Sequence, residues 1–158
     1  MNRLVKLLAL AAATLGGAFL TTAAQASAAN FNVSFAIHNN DSTYNMIRQT
    51  SPLPSGVTGL INPAAAISPG NNDPATSFGT FSGPLPALHN SEQASLVYSK
   101  DTDSSDFCTF TIQVKNVGGS LPYVLHFTSD QTRCTVPADQ NSANGQFTSS
   151  TSFLDWTA

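Results

Sequence analysis

Residues 106–136 read DFCTFTIQVKNVGGSLPYVLHFTSDQTRCTV, and their alternation decides the class of fold. Cys108, Phe110, Ile112 and Val114 fall on one side, while Thr109, Thr111, Gln113 and Lys115 fall on the other. A period of two belongs to a β-strand with one apolar and one polar face. The turn-rich KNVGGSLP at 115–122 interrupts it, and YVLHF then places Tyr123, Leu125 and Phe127 together. A second turn, SDQTR at 129–133, leads into RCTV, so the stretch predicts strands separated by short connections.

The same stretch holds both cysteines of the chain, Cys108 and Cys134. Two cysteines in an exported chain leave a single pairing, and the spacing matches neither C-x-x-C nor a zinc cluster. A structural disulfide is therefore expected, with a chain-entropy value of about 3.5 kcal/mol. Strand spacing constrains where it lies. In a flat three-strand meander the cysteines would sit on the outer strands, about 9.6 Å apart. A disulfide needs Cα atoms roughly 4.4–6.8 Å apart. The bond is thus predicted to link two layers or to clamp a strand to a crossing loop, with Cys108 pointing inward.

Outward from this region, FNVSFAIH sets Phe31, Val33, Phe35 and Ile37 against Asn32, Ser34 and His38. Shorter strand candidates are TYNMI, TSFGTF, SLVYS and SFLDW, and no convincing helical window occurs after residue 28. About seven to eight short strands with one-sided alternation predict an all-β protein. The expected form is an antiparallel β-sandwich, immunoglobulin-like or related, with a closed barrel as the competing architecture. Residues 29–158 suit a single domain, and no internal repeat is visible. A Pro/Gly-rich region near 51–86 is expected to be loop, with Val57–Ile61 and Phe78–Phe81 as pieces able to pair at an edge.

The first residues read as a secretory leader. Arg3 and Lys6 precede an uncharged apolar run from Leu7 to Leu20, and A-x-A patterns end at Ala26 and Ala28. Residues 1–28 are assigned to a signal peptide cleaved near Ala28, and the destination is secreted or periplasmic. The run is too short to span a bilayer, which needs about 20 apolar residues, and no other segment is long enough. Without Arg3 and Lys6 the chain keeps four cations against nine acidic residues, a net charge of −5. That balance excludes a nucleic-acid partner, whose phosphates are held mainly by Lys and Arg.

The candidates for chemistry are few. The run DTDSSD brings Asp101, Asp103 and Asp106 into an oxygen-rich turn that partly follows a calcium loop. Asp106, however, stands where that loop needs Gly, and Ile112 where it needs the bidentate Glu. A solvated turn is the better reading, and calcium is the only cofactor worth testing. His38, His89 and His126 form no local metal motif, and no nucleophile elbow, H-E-x-x-H, P-loop or Rossmann glycine pattern occurs. Asn32 and Asn40 head N-x-S sequons, which matter only in a eukaryotic secretory pathway.

These features lead to a small exported, non-enzymatic binding or interaction module for an extracellular protein, glycan or lipid surface. Its polar strand faces, or exposed aromatics among Tyr44, Tyr98 and Trp156, would supply contacts. A membrane-active, toxin-like sandwich and a surface subunit assembling through sheet edges are the alternatives. A single Trp and few cations weigh against membrane anchoring.

Overall fold

A computed structural model describes residues 30–49, 58–86, 90–117, 121–147 and 153–157. Residues 1–28, expected to be a leader, residues 51–57 and His89 lie outside this set. The described residues form twelve strands and no α-helix. In chain order these are β1 (Asn30–Asn39), β2 (Met46–Arg48), β3 (Thr58–Ile61), β4 (Ala66–Ile67), β5 (Ala75–Pro84) and β6 (Ser91–Lys100). They continue as β7 (Phe107–Asn116), β8 (Tyr123–Ser129), β9 (Cys134–Thr135), β10 (Gln140–Ser142), β11 (Gln146–Phe147) and β12 (Phe153–Trp156).

The strands make two sheets of six. The first runs β3-β5-β1-β12-β9, with β11 also on β1, and the second runs β10-β8-β7-β6-β2-β4. All pairs in the second sheet are antiparallel, whereas β1 pairs in parallel with both β11 and β12. The core follows the alternation. Phe31, Val33, Phe35 and Ile37 of β1 are fully buried, as are Cys108, Phe110, Ile112 and Val114 of β7. Ala94, Leu96 and Tyr98 from β6, Leu125 and Phe127 from β8, and Leu154 and Trp156 from β12 join the cluster, which Met46, Ile67, Phe81, Cys134 and Phe147 complete.

Twelve strands exceed the seven to eight expected because β4, β9 and β11 are two residues long and β10 three. Such pieces carry no readable period, and their pairing is set by neighbours in space. The region near 51–86 also holds more strand than its composition suggests. β5 is a ten-residue interior strand between β3 and β1. Within it Gly79 serves packing: a Cβ there would lie 2.5 Å from Phe35 Cζ and 2.8 Å from Pro63 Cδ. The chain in this region passes between sheets, from β2 in the second to β3 in the first, back to β4, then to β5. β3 does pair with β5 at the edge of the first sheet, Thr58 opposite Ser82 and Ile61 opposite Thr80.

β7 and β8 pair directly, from Phe110 opposite Ser129 to Asn116 opposite Tyr123. The chain then leaves the second sheet, and β9 joins β12 in the first, with Cys134 opposite Trp156. The Cys108–Cys134 disulfide spans Cα atoms 6.1 Å apart and links the two sheets. The flat meander is absent for the reason its spacing gave.

Candidate functional site

Four connections, residues 40–45, 68–74, 101–106 and 130–133, meet at the end of the sheets where β1 finishes and β7 begins. Backbone bonds join the first three. Gly70 N donates to Asp41 O at 2.8 Å and Asp101 N to Asn45 O at 3.1 Å, while the ion pair of Arg133 with Asp106 brings in the fourth connection. Buried Asn39 is the hub: its Nδ2 donates to Tyr44 O at 2.8 Å and Ile67 O at 2.9 Å, and its Oδ1 accepts from Asp41 N at 3.0 Å.

Seven of the nine acidic residues sit at this end, all but Glu92 and Asp139. Six of them hold donors from their own chain. Asp41 Oδ1 accepts from Thr43 N at 2.6 Å and Tyr44 N at 2.8 Å, and Asp130 Oδ1 from Thr109 N at 2.7 Å. Asp155 meets His38 Nδ1 at 2.8 Å. The three carboxylates of DTDSSD go separate ways. Asp101 accepts from Asn45 Nδ2 at 2.5 Å, and Asp103 from the Ser105 hydroxyl at 2.6 Å and its N–H at 2.9 Å. Those Ser105 bonds hold the Asp103 carboxyl below the usual aspartate range. Asp106 pairs with Lys100 Nζ at 2.9 Å and with the Arg133 guanidinium, while Lys100 also lies 4.7 Å from the centroid of the Tyr44 ring. No group of three His, Cys, Asp or Glu suited to a metal occurs among the described residues.

Beside the disulfide lies an open depression of about 420 Å³ between Ser129 and Val136. Asp130 is its one ionisable lining residue, and that carboxylate is occupied by Thr109 N–H. It therefore brings together neither two carboxyls nor a base with a nucleophile. His38 and His126 lie on different sheets; His126 Nδ1 meets Asp139 Oδ1 at 2.6 Å. His38 pairs across strands with Asp155 of β12, and His126 with Asp139 in the connection just before β10.

Two of the three aromatics considered for contact are core. Tyr98 and Trp156 are fully buried, because their strands place them on the inward face, and Tyr44 alone is half-buried. The Tyr98 hydroxyl donates to Ala64 O at 3.0 Å, and burial pushes its pKa well up, with Arg48 opposing slightly. Asn32 is exposed on the polar face of β1, as its parity requires.

The outer face of the second sheet has a different character. Register sets Ser95, Thr111 and Thr128 in one row across β6, β7 and β8, and Gln93, Gln113 and His126 in the next. Side chains pair along the face: Ser95 Oγ with Thr111 Oγ1 at 3.3 Å, Gln113 Nε2 to Ser91 Oγ at 3.0 Å, and Gln49 Nε2 to Ser99 Oγ at 2.8 Å. Sequence parity had marked Thr109, Thr111 and Gln113 as outward. It could not show which strands lie beside them.

The geometry thus defines an all-β protein of two antiparallel-rich sheets with an intersheet disulfide. No family model, curated protein or solved structure matches the chain.

Proposed function

We propose that the chain is an exported, non-enzymatic binding module whose contact surface is the outer face of the second sheet. The observation that carries this reading is the contrast between two polar regions. At the loop end, side chains are engaged in holding the fold. Across β6, β7 and β8, hydroxyls and amides face outward on two ten-residue strands and one of seven. The leader pattern and the disulfide support an extracellular or periplasmic setting. An immunoglobulin-like kinship is supported by the intersheet disulfide with buried Trp156 opposite Cys134.

The test is a binding panel of immobilised proteins, glycans and lipid vesicles, probed with the wild-type chain and with Thr111→Lys. A ligand lost on Thr111→Lys and kept by Thr80→Lys, on the other sheet, supports the reading. Ligands indifferent to Thr111→Lys refute it.

One observation favours the membrane-active alternative. Ile61 and Phe78 are 65% and 66% exposed, and Ile61 opposes Thr80, two residues from Phe78 on β5. Co-sedimentation with neutral phosphatidylcholine vesicles, lost on Phe78→Ser, would promote that reading. Edge assembly has less support. The outermost strands are four residues or shorter, and Pro63, Pro69 and Pro137 follow β3, β4 and β9 closely.

A further inference from the structure

We infer that the outer face of the second sheet recognises a neutral polysaccharide by direct hydrogen bonding. This rests on the binding-module reading and names the ligand class. By strand parity the outward positions of β6 are Ser91, Gln93, Ser95, Val97 and Ser99, of which Ser99 is itself buried; those of β7 are Thr109, Thr111, Gln113 and Lys115; those of β8 are Val124, His126 and Thr128. Lys115 and His126 are the only ionisable groups among these twelve positions, and His126 is already bonded to Asp139.

The chemistry of this set excludes most partners. One lysine cannot hold a phosphate backbone or an anionic polymer, both of which need several cations. A protein interface draws its affinity from buried Trp, Tyr or Arg anchors, and none of the twelve positions is any of these. A lipid interface needs an apolar face, and only Val97 and Val124 are apolar here. What the face offers is hydroxyls and amides, groups that both donate and accept. Sugar hydroxyls do the same, so donors and acceptors need not be sorted in space for the surfaces to match.

The arrangement is also ordered in advance. Rows repeat at about 4.8 Å between strands and about 6.8 Å along each strand. The Ser95–Thr111 pair uses one O–H and one lone pair. One O–H and three lone pairs remain for a ligand. Because the Gln113–Ser91 and Gln49–Ser99 bonds fix their side chains, ligand binding orders little that is free. Single contacts of this kind are weak, and a polymer that repeats them gains by multivalency.

The experiment measures retention of the full exported chain on insoluble chitin and cellulose, and its retardation in gels containing neutral xylan or mixed-linkage glucan. Heparin is the charged control. The variants are Thr111→Val, which removes a hydroxyl at nearly constant shape, and the double variant Thr111→Val/Gln113→Lys. Thr80→Val on the first sheet is the control, and circular dichroism checks that each variant folds. The expected result is retention by at least one neutral polysaccharide that survives added salt and falls at least about tenfold in the double variant, a loss of about 1.4 kcal/mol. Thr80→Val should bind as the wild type does. Absence of retention on every neutral polysaccharide overturns the inference. If a protein or heparin binds instead and the double variant abolishes it, the face is a binding surface but the polysaccharide assignment is wrong. If no ligand responds to the double variant, both readings fall.

Discussion

Replacing Asn39 with alanine isolates the device that organises the loop end. Its side chain is fully buried and bonds three backbone groups: the carbonyls of Tyr44 and Ile67 and the N–H of Asp41. Ile67 and Asp41 are themselves buried, so their freed groups have no water to turn to. Tyr44 is half-buried, and its carbonyl can be rehydrated. Leaving a buried polar group unmade costs about 1–3 kcal/mol, so two such groups predict a loss of roughly 2–6 kcal/mol. Against a typical stability of about 5–15 kcal/mol, that is readily measured. Urea unfolding should show a lower midpoint at unchanged slope, since the same surface is exposed. Asn39→Asp is the sharper variant. It keeps the acceptor for Asp41 N–H but turns a second oxygen toward two carbonyls. The charged form is disfavoured in the fold, so the aspartate pKa should rise there. Its destabilisation should ease as pH falls toward about 4, where the carboxyl protonates in the unfolded chain too. An Asn39→Ala protein within about 0.5 kcal/mol of wild type, the range of ordinary surface changes, would refute this account.

Breaking the disulfide with Cys108→Ala/Cys134→Ala should cost about 2–4 kcal/mol in the same assay, with a lower melting temperature. Tyr98→Phe should cost about 0.5–1.5 kcal/mol, the net value of one hydrogen bond, because Ala64 is exposed and its carbonyl can turn to water. The raised Tyr98 pKa has a definite pH consequence. Above about 10 the unfolded chain loses this proton while the folded chain keeps it, so stability should fall as alkalinity increases; alkaline urea titrations of wild type and Tyr98→Phe would show the difference. Gly79→Ala forces a methyl to within 2.5 Å of Phe35 Cζ and should cost about 1–3 kcal/mol by overpacking, read as a drop in melting temperature. Millimolar calcium should leave the melting temperature unchanged, since Asp101, Asp103 and Asp106 have separate partners; a clear rise would show them converging on the cation.

The long strands were legible because burial on one face writes itself into every second residue. FNVSFAIH and CTFTIQVK marked inward residues that are buried. Disulfide geometry excluded the flat meander while leaving open how it is avoided; the structure pairs β7 with β8 and moves β9 to the first sheet. What escaped was determined across the fold. TSFGTF marked six of the ten residues of β5, but the full strand alternates weakly, since Gly79 and Gly83 stand at inward positions where Val or Phe would signal a strand. Gly79 is small because Phe35 and Pro63 fill its space, and neither is near in sequence. Parallel pairing of β1 with β12 is likewise invisible to local pattern, for its partners are 117 residues apart, as in His38 and Asp155. The site was legible only in part. Parity put Thr111 and Gln113 outward, but the rows they form with Ser95, Thr128, Gln93 and His126 depend on register.

The distribution of charge makes the division between the two polar regions more than descriptive. Beyond residue 28 the chain's cations are Arg48, Lys100, Lys115 and Arg133. Lys100 and Arg133 both lie at the loop end and both pair with Asp106, leaving seven carboxylates there against two cations. The remainder, Arg48 and Lys115 against Glu92 and Asp139, is balanced. The net charge of −5 that residues 29–158 carry therefore resides at one end. That end repels anionic polymers and surfaces at distances set by the screening length, about 8 Å in physiological salt. The outer face of the second sheet, where Lys115 is the one unopposed charge among the twelve positions and His126 is bonded to Asp139, has no such field. A ligand that approaches through this face gains little from charge and loses little to salt, so binding there rests mainly on hydrogen bonds and shape. Salt-insensitive retention would therefore distinguish that face from the loop end before any residue is changed.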